Sequence, residues 1–275
     1  MTRSPLASLA LLSALAVQAH ATTILFPNFT NTAGLVTSGS ATATVTGDGT
    51  VLRLVPAQVN QSGSAFSQAT INASTFSTFF EFRLTNPGGI TDGVETGADG
   101  FVFVVQPVSS SIGGLGGGLG YAGIAPSVGI EFDTFQNGWD PSTNHAGVDL
   151  NGDVVSVATV NVPTKFDDGN LWYAWVDYNG TTLEVRFNQT GVRPTAANLS
   201  QNINIASILG TSTAFVGFTA GTGSAFENHD IITWQYNDSF SPITNPTTTP
   251  EPATFVLFGS GLAIVTVVSR RRRRS

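Results

Sequence analysis

Residues 131–145 carry three carboxylates (Glu131, Asp133 and Asp140), the side-chain amide of Asn137 and the imidazole of His145, in a 275-residue chain that is only 11% charged. Carboxylate, amide and backbone oxygens suit a hard divalent cation such as Ca2+, and one imidazole added to carboxylates suits a transition ion such as Mn2+. Both donor sets are interleaved in this one segment. A single Asp or His in a loop is ordinarily solvated or hydrogen-bonded; five such groups this close together point to a metal site.

The segment also predicts its own support. Val128, Ile130, Phe132 and Thr134 alternate with Gly129, Glu131, Asp133 and Phe135, so a strand over 128–135 puts apolar side chains on one face and both acids on the other. Asn137-Gly138 and Asp140-Pro141 are turn dipeptides that fold Asn137, Asp140 and His145 back over the acidic face.

These residues carry a resemblance. Glu131-Phe132-Asp133-Thr134-Phe135, Asn137, Trp139-Asp140-Pro141 and His145, followed by Gly147-Val148-Asp149-Leu150-Asn151, resemble the metal-binding segment of the legume-type (L-type) lectins. Gly97-Ala98-Asp99-Gly100-Phe101-Val102-Phe103 resembles that family's Asp loop, and Gly116-Gly117-Gly118-Leu119-Gly120 its glycine-rich loop. Val216-Gly217-Phe218-Thr219-Ala220 and His229-Asp230-Ile231-Ile232-Thr233-Trp234 resemble its last core strands. The resemblance covers most of the chain between its termini and implies an all-β, concanavalin-like jelly-roll sandwich of antiparallel sheets.

It also implies roles. Glu131, Asp133, Asp140 and His145 would hold the transition metal, while Asp133, Asn137, Asp140 and the carbonyl of Phe135 would hold Ca2+, with Asp133 and Asp140 bridging the two ions. Asp99, a glycine-loop amide from Gly117 or Gly118, Asn137 and the Phe135 ring would contact sugar, and the Ala98–Asp99 peptide would be cis. Ser224 and Ala225 lie where the family sets its specificity, in a loop that is short here. His229 receives no metal role.

The chemistry is coherent residue by residue. A sugar offers hydroxyls and a patch of C–H, so its site needs a carboxylate acceptor, amide donors and an aromatic surface. Asp99, Asn137 and Phe135 supply one of each. A calcium ion taking the amide oxygen of Asn137 would leave its NH2 aimed at the ligand.

Between the termini, five basic residues face seventeen acidic ones, a net charge of −12. Such a body repels nucleic acid and anionic membrane surfaces and suits cations and neutral glycans. There is no cysteine, so stability must come from the core. β-rich runs at 50–55, 76–84, 100–106, 128–135, 154–160, 171–178, 182–187, 214–220 and 231–236 are separated by turn residues, as an antiparallel sandwich requires. Asn179-Gly180 marks a hairpin, and 195–209 has room for a helical turn or two. The Gly/Ser-rich stretch 108–123, flanked by strands, reads as a binding loop.

Both ends read as address labels. Residues 1–21 have Arg3, an apolar run and Ala19-His20-Ala21, the pattern of a cleaved secretory signal. The sandwich is expected over 22–240, followed by a Pro/Thr-rich spacer over 241–252 and an apolar, then arginine-rich tail over 253–275. Pro250-Glu251-Pro252 before that tail resembles the PEP-CTERM sorting signal, which implies processing by an exosortase. The other reading of the tail is a permanent membrane anchor. Either places the body outside the cytoplasm, at the cell envelope, surface or beyond.

A metal-dependent carbohydrate-binding protein is therefore expected, acting on envelope or matrix glycans such as exopolysaccharide. Two alternatives are a laminarinase-type glycoside hydrolase and a structural matrix protein that binds little. The hydrolase resemblance, Glu131-Phe132-Asp133-Thr134-Phe135-Gln136, ends in an amide where a retaining mechanism requires an acid.

Overall fold

The computed structural model describes residues 23–109 and 113–244; the readings placed on the secretory signal and on the tail from 253 lie outside them. The strands in chain order are β1 (Thr23–Phe26), β2 (Leu35–Gly39), β3 (Thr42–Thr46), β4 (Gly49–Val55), β5 (Ser62–Ser67), β6 (Ile71–Asn72), β7 (Phe76–Gly89) and β8 (Gly100–Gln106). There follow β9 (Val128–Asp133), β10 (His145–Leu150), β11 (Asp153–Asn161), β12 (Trp172–Tyr178), β13 (Thr182–Asn188), β14 (Leu199–Asn202), β15 (Thr213–Gly221) and β16 (Ala225–Asn237). Among the described residues one short helix, α1 (Ile205–Leu209), is capped by the Asn204 side chain accepting from Ser207 N and stopped by left-handed Gly210.

All pairings between the strands are antiparallel. One sheet runs β14-β13-β12-β7-β16-β4-β3 with β1 on β16, and the other runs β11-β10-β9-β8-β15-β5-β2 with β6 on β15. The core between them is aromatic. Phe80 and Phe82 of β7 meet Phe101 of β8 and Phe132 of β9 with ring centroids 4.9–6.1 Å apart, the tilted and edge-on contacts that aromatic pairs favour. The hairpin at Asn179-Gly180 forms as expected: Asn179 Oδ1 accepts from Thr181 N and Thr182 N, and Gly180 takes φ +99°.

The alternation in β9 decides which face can do chemistry. Val128, Ile130 and Phe132 enter the core, so Glu131 and Asp133 project from the outer face of the second sheet. The strand is shorter than its pattern suggests. It ends at Asp133, although Thr134 N still donates to Asp99 O (3.1 Å) in register with the Gly100–Asp133 pair, and Phe135 lies beyond it, half-buried.

A second small core forms on that outer face. Leu119, Tyr121 and Ile124 of the glycine-rich segment pack over Phe66, Val102 and Val104. The glycines therefore sit on a fixed loop containing a 3-10 turn at Gly116–Gly118. At the chain's far end Ile243, within the stretch read as spacer, is buried against Phe79 and Trp175 on the outer face of the first sheet, so packing reaches past residue 240.

Candidate functional site

Strand register brings the acids and the imidazole together. His145, expected in the returning loop, is instead the first residue of β10 and lies opposite Asp133, while Gly147 lies opposite Glu131. Glu131, Asp133 and His145 each offer one ligand atom, all within 4.8 Å of one another. His145 Nε2 is 3.1 Å from Glu131 Oε1, and His145 Nδ1 is 4.0 Å from Asp133 Oδ1.

The cluster is buried, and no base neutralises it. Arg53 pairs with Asp230, Arg83 with Asp48, Lys165 with Glu95, and Arg186 and Arg193 with Asp177, which uses every basic residue of the described body. Burial, then the charges of Glu131 and Asp140, push the Asp133 carboxyl well above the usual carboxylate range. Asp140 is raised by burial, against a hydrogen bond from the Asn137 backbone N–H and the nearby His145. Carboxylates held this closely without a basic partner are unfavourable unless protonated or bound to a cation. His145 Nδ1 and Asn137 Nδ2, both buried, have no hydrogen-bond partner. The donor set fits a divalent ion.

Two further residues, not among the sequence candidates, support Glu131. Ser156 Oγ lies 2.6 Å from both Glu131 Oε1 and Asp149 Oδ1, and Asp149 is fully buried. Gly147 makes this contact possible, since a Cβ there would lie 2.0 Å from Ser156 Oγ and 2.4 Å from Glu131 Oε1. A Ser among the valines of β11 was the available signal, but only the fold puts it beside Glu131.

The expected sugar contacts converge next to this cluster. Asp140 N donates to Asn137 O and Asn137 N donates to Asp140 Oδ2 (2.6 Å), closing the Asn137–Asp140 turn. The Ala98–Asp99 peptide is cis, and Gly100, next to Asp99, pairs with Asp133 across β8 and β9. Asp99 is 4% exposed and its Oδ2 is unpartnered. Burial first, and then Glu227, push its carboxyl up to about 7, eased by a hydrogen bond from Gly223 N. A Cβ on Gly116 would lie 3.9 Å, and one on Gly223 3.6 Å, from Asp99 Oδ2, so the carboxylate faces the glycine turn.

The two candidate glycines separate here. A Cβ on Gly117 would meet Nδ2, Oδ1 and Cγ of Asn137 at 2.6–2.8 Å, whereas one on Gly118 would meet only Ala122 Cβ at 3.1 Å. Ser224 is exposed at the rim. The Ala225 side chain is 2% exposed at the start of β16, so it can reach a ligand only through its backbone.

Comparison with known proteins accounts for this arrangement. The model of the legume lectin domain matches residues 21–252. The chain belongs to the legume lectin family. The basic agglutinin of Psophocarpus tetragonolobus is 32% identical over 194 residues, covering 66% of this chain and 75% of the agglutinin. The L-type lectin-domain containing receptor kinase VIII.1 of Arabidopsis thaliana is 34% identical over 206 residues, 70% of this chain but 27% of the kinase. Among solved structures, the basic winged bean lectin with Tn-antigen superposes with a TM-score of 0.66 at 27% identity, covering 79% of this chain and 98% of that one.

The lectin assignment makes this a carbohydrate-binding protein and not a glycoside hydrolase, in keeping with Gln136 at the position where the hydrolase pattern needs an acid. A second family model, the PEP-CTERM protein-sorting motif, matches residues 248–274, which marks the lectin for export. No helix among the described residues is long and apolar enough to cross a membrane.

Proposed function

We propose that this lectin binds glycan in a metal-dependent way, with Glu131, Asp133, Asp140 and His145 holding a transition ion such as Mn2+, and Asp133, Asn137, Asp140 and the Phe135 carbonyl holding Ca2+. The observation that carries this reading is the meeting of Asp99, the Gly116–Gly118 turn and Asn137 beside the buried Glu131–Asp133–His145 cluster. The ions would supply fixed positive charge that allows these carboxylates to remain ionised at neutral pH and would hold the Asn137 turn. Asp99 then accepts from sugar hydroxyls, the Gly117 amide and the Asn137 NH2 donate, and the Phe135 ring receives the C–H face.

Related lectins were solved with Tn-antigen and with methyl-alpha-D-galactose, which makes galactose-type sugars the first probes. Gly117→Ala is expected to displace the Asn137 side chain and weaken glycan binding by on the order of tenfold or more, a loss comparable to one hydrogen bond to a fixed partner. Gly118→Ala, facing only Ala122, is expected to bind nearly normally. Titration of both variants on a galactoside surface checks the pair, and equal losses would refute the choice of Gly117.

The PEP-CTERM match supports delivery to the cell envelope or surface, with exosortase processing after a transient membrane tether, and exopolysaccharide as the glycan met there. The intact mass of the exported protein tests this. It is expected to start near Thr22 and end near residues 250–253, and a mature species that retains the arginines at 270–274 contradicts processing while leaving the lectin reading standing.

A further inference from the structure

We infer that Glu227, acting with Thr134, Asp167 and His229, is a positioning residue that seats the Asp99 turn against the metal-bearing strand, and that this seating depends on a proton shared by Glu227 and Asp167. The inference rests on the lectin reading of Asp99 but draws on residues outside the metal and sugar sets.

The turn is held from both sides. On one side, Thr134 N donates to Asp99 O (3.1 Å) and Thr134 Oγ1 donates to Glu227 Oε1 (2.8 Å). On the other, Gly100 N donates to His229 Nε2 (3.1 Å), while Asp99 N donates to Gly221 O (3.2 Å). Glu227, His229 and Thr134 are essentially inaccessible to solvent, so each hydrogen bond lost leaves a buried polar group unsatisfied. Glu227 thus reaches Asp99 through one intervening residue, with β16 as the rigid support.

Three observations place a proton in this network. Glu227 and Asp167 are both buried, and two carboxyl groups held close together out of water disfavour both being ionised. Both crowd Gly97, where a Cβ would lie 2.5 Å from Asp167 Oδ2 and 3.0 Å from Glu227 Oε2. His229 Nε2 is also 3.3 Å from Glu227 Oε1. Because Nε2 already accepts from Gly100, that approach sets two lone pairs against each other and favours a neutral carboxyl.

The remaining surroundings agree. Lys165 is paired with Glu95 at 2.6 Å and Arg53 with Asp230, and Asp99 adds a further negative charge. Burial pushes Glu227 up to about 8 and Asp167 up to about 7, while it lowers His229 to about 3 and keeps the ring neutral. The folded state therefore holds protons that the unfolded chain releases near pH 4.5. The stabilisation is complete below that value and is lost as pH rises through about 8. Metal binding runs the other way, since its ligands bind as carboxylates. Above about pH 8 the turn is expected to loosen while the ions stay bound.

Hydrogen–deuterium exchange over residues 97–100 of the full chain, loaded with Ca2+ and Mn2+, reads the seating without any sugar. After correction for intrinsic exchange, wild-type protection is expected to fall roughly tenfold between about pH 7 and pH 9, the equivalent of one unit of proton linkage. Glu227→Gln keeps an acceptor for Thr134 and an uncharged donor for Asp167, so its protection should stay flat over that range. Glu227→Leu should be unprotected throughout, with both metals retained.

Coincident profiles for wild type and Glu227→Gln, or full protection in Glu227→Leu, would overturn the inference. If Glu227→Leu does not fold, the comparison of wild type with Glu227→Gln still decides. Binding of methyl-α-D-galactoside, followed in parallel, should decline with the exchange protection in wild type. If that sugar binds no form at any pH, the galactose assignment fails while the exchange result stands.

Discussion

Asp133→Ala is expected to remove metal, thermal stability and glycan binding in a single step. Asp133 is, with Asp140, one of the two carboxylates assigned to both ions, and it lies opposite His145 and one residue beyond the core-facing Phe132. A ligand that binds only the folded state at a hundredfold excess over its Kd stabilises by about 2.7 kcal/mol. For a domain of this size that corresponds to roughly 5–10 °C in Tm. In saturating Ca2+ and Mn2+ the variant should melt lower by about that amount. In chelator the difference should vanish or reverse, because the substitution removes a buried carboxyl that is otherwise without a cation. Calorimetry under the two conditions checks this. A variant equally destabilised with and without metal would show that Asp133 serves the fold and not an ion.

Asp99→Ala is expected to abolish measurable glycan binding with the fold and metal content intact. The carboxylate has an unpartnered Oδ2 facing Gly116 and Gly223, while the links between the turn and the sheet run through its backbone to Thr134 and Gly221. Truncation therefore spares the links. Hydrogen bonds to a charged acceptor contribute about 1.5–3 kcal/mol each, so losing two weakens binding by on the order of a hundredfold or more. Surface plasmon resonance on the cognate glycan, with a melting curve alongside, gives both readouts. Wild-type affinity in the variant would remove Asp99 from the sugar site.

The metal segment is legible in the sequence because its donors are local: strand alternation sets the face of Glu131 and Asp133, and turn residues return the chain. The bounds of β8 and the Asn179-Gly180 hairpin follow from equally local signals. His145 falls in the right cluster by sequence but in the wrong element, since the register that sets it opposite Asp133 is a property of two strands. Thr134 looks like a core position by alternation, yet its hydroxyl serves Glu227, from the far end of the chain.

The missing elements share a cause as well. β5 is built from Ser and Gly around one Ala and one Phe and carries no alternation, because a Cβ on Gly63 would lie 2.0 Å from Leu54 O; close backbone approach selects small residues there. Asp149, Ser156, Asp167 and Glu227 are scattered over nearly eighty residues and acquire meaning only where β9, β10, β11 and β16 come together. Gly117 and Gly118 are equivalent as letters, and the position of Asn137 separates them.

The most direct test of metal-dependent glycan recognition is a glycan array, including galactose-type sugars and exopolysaccharide, read with the soluble body before and after EDTA and again after Ca2+ and Mn2+ are restored. Selective binding that disappears with EDTA and returns with both ions is the result expected here. Selective binding unchanged by EDTA, in protein shown to be free of metal, would contradict the account.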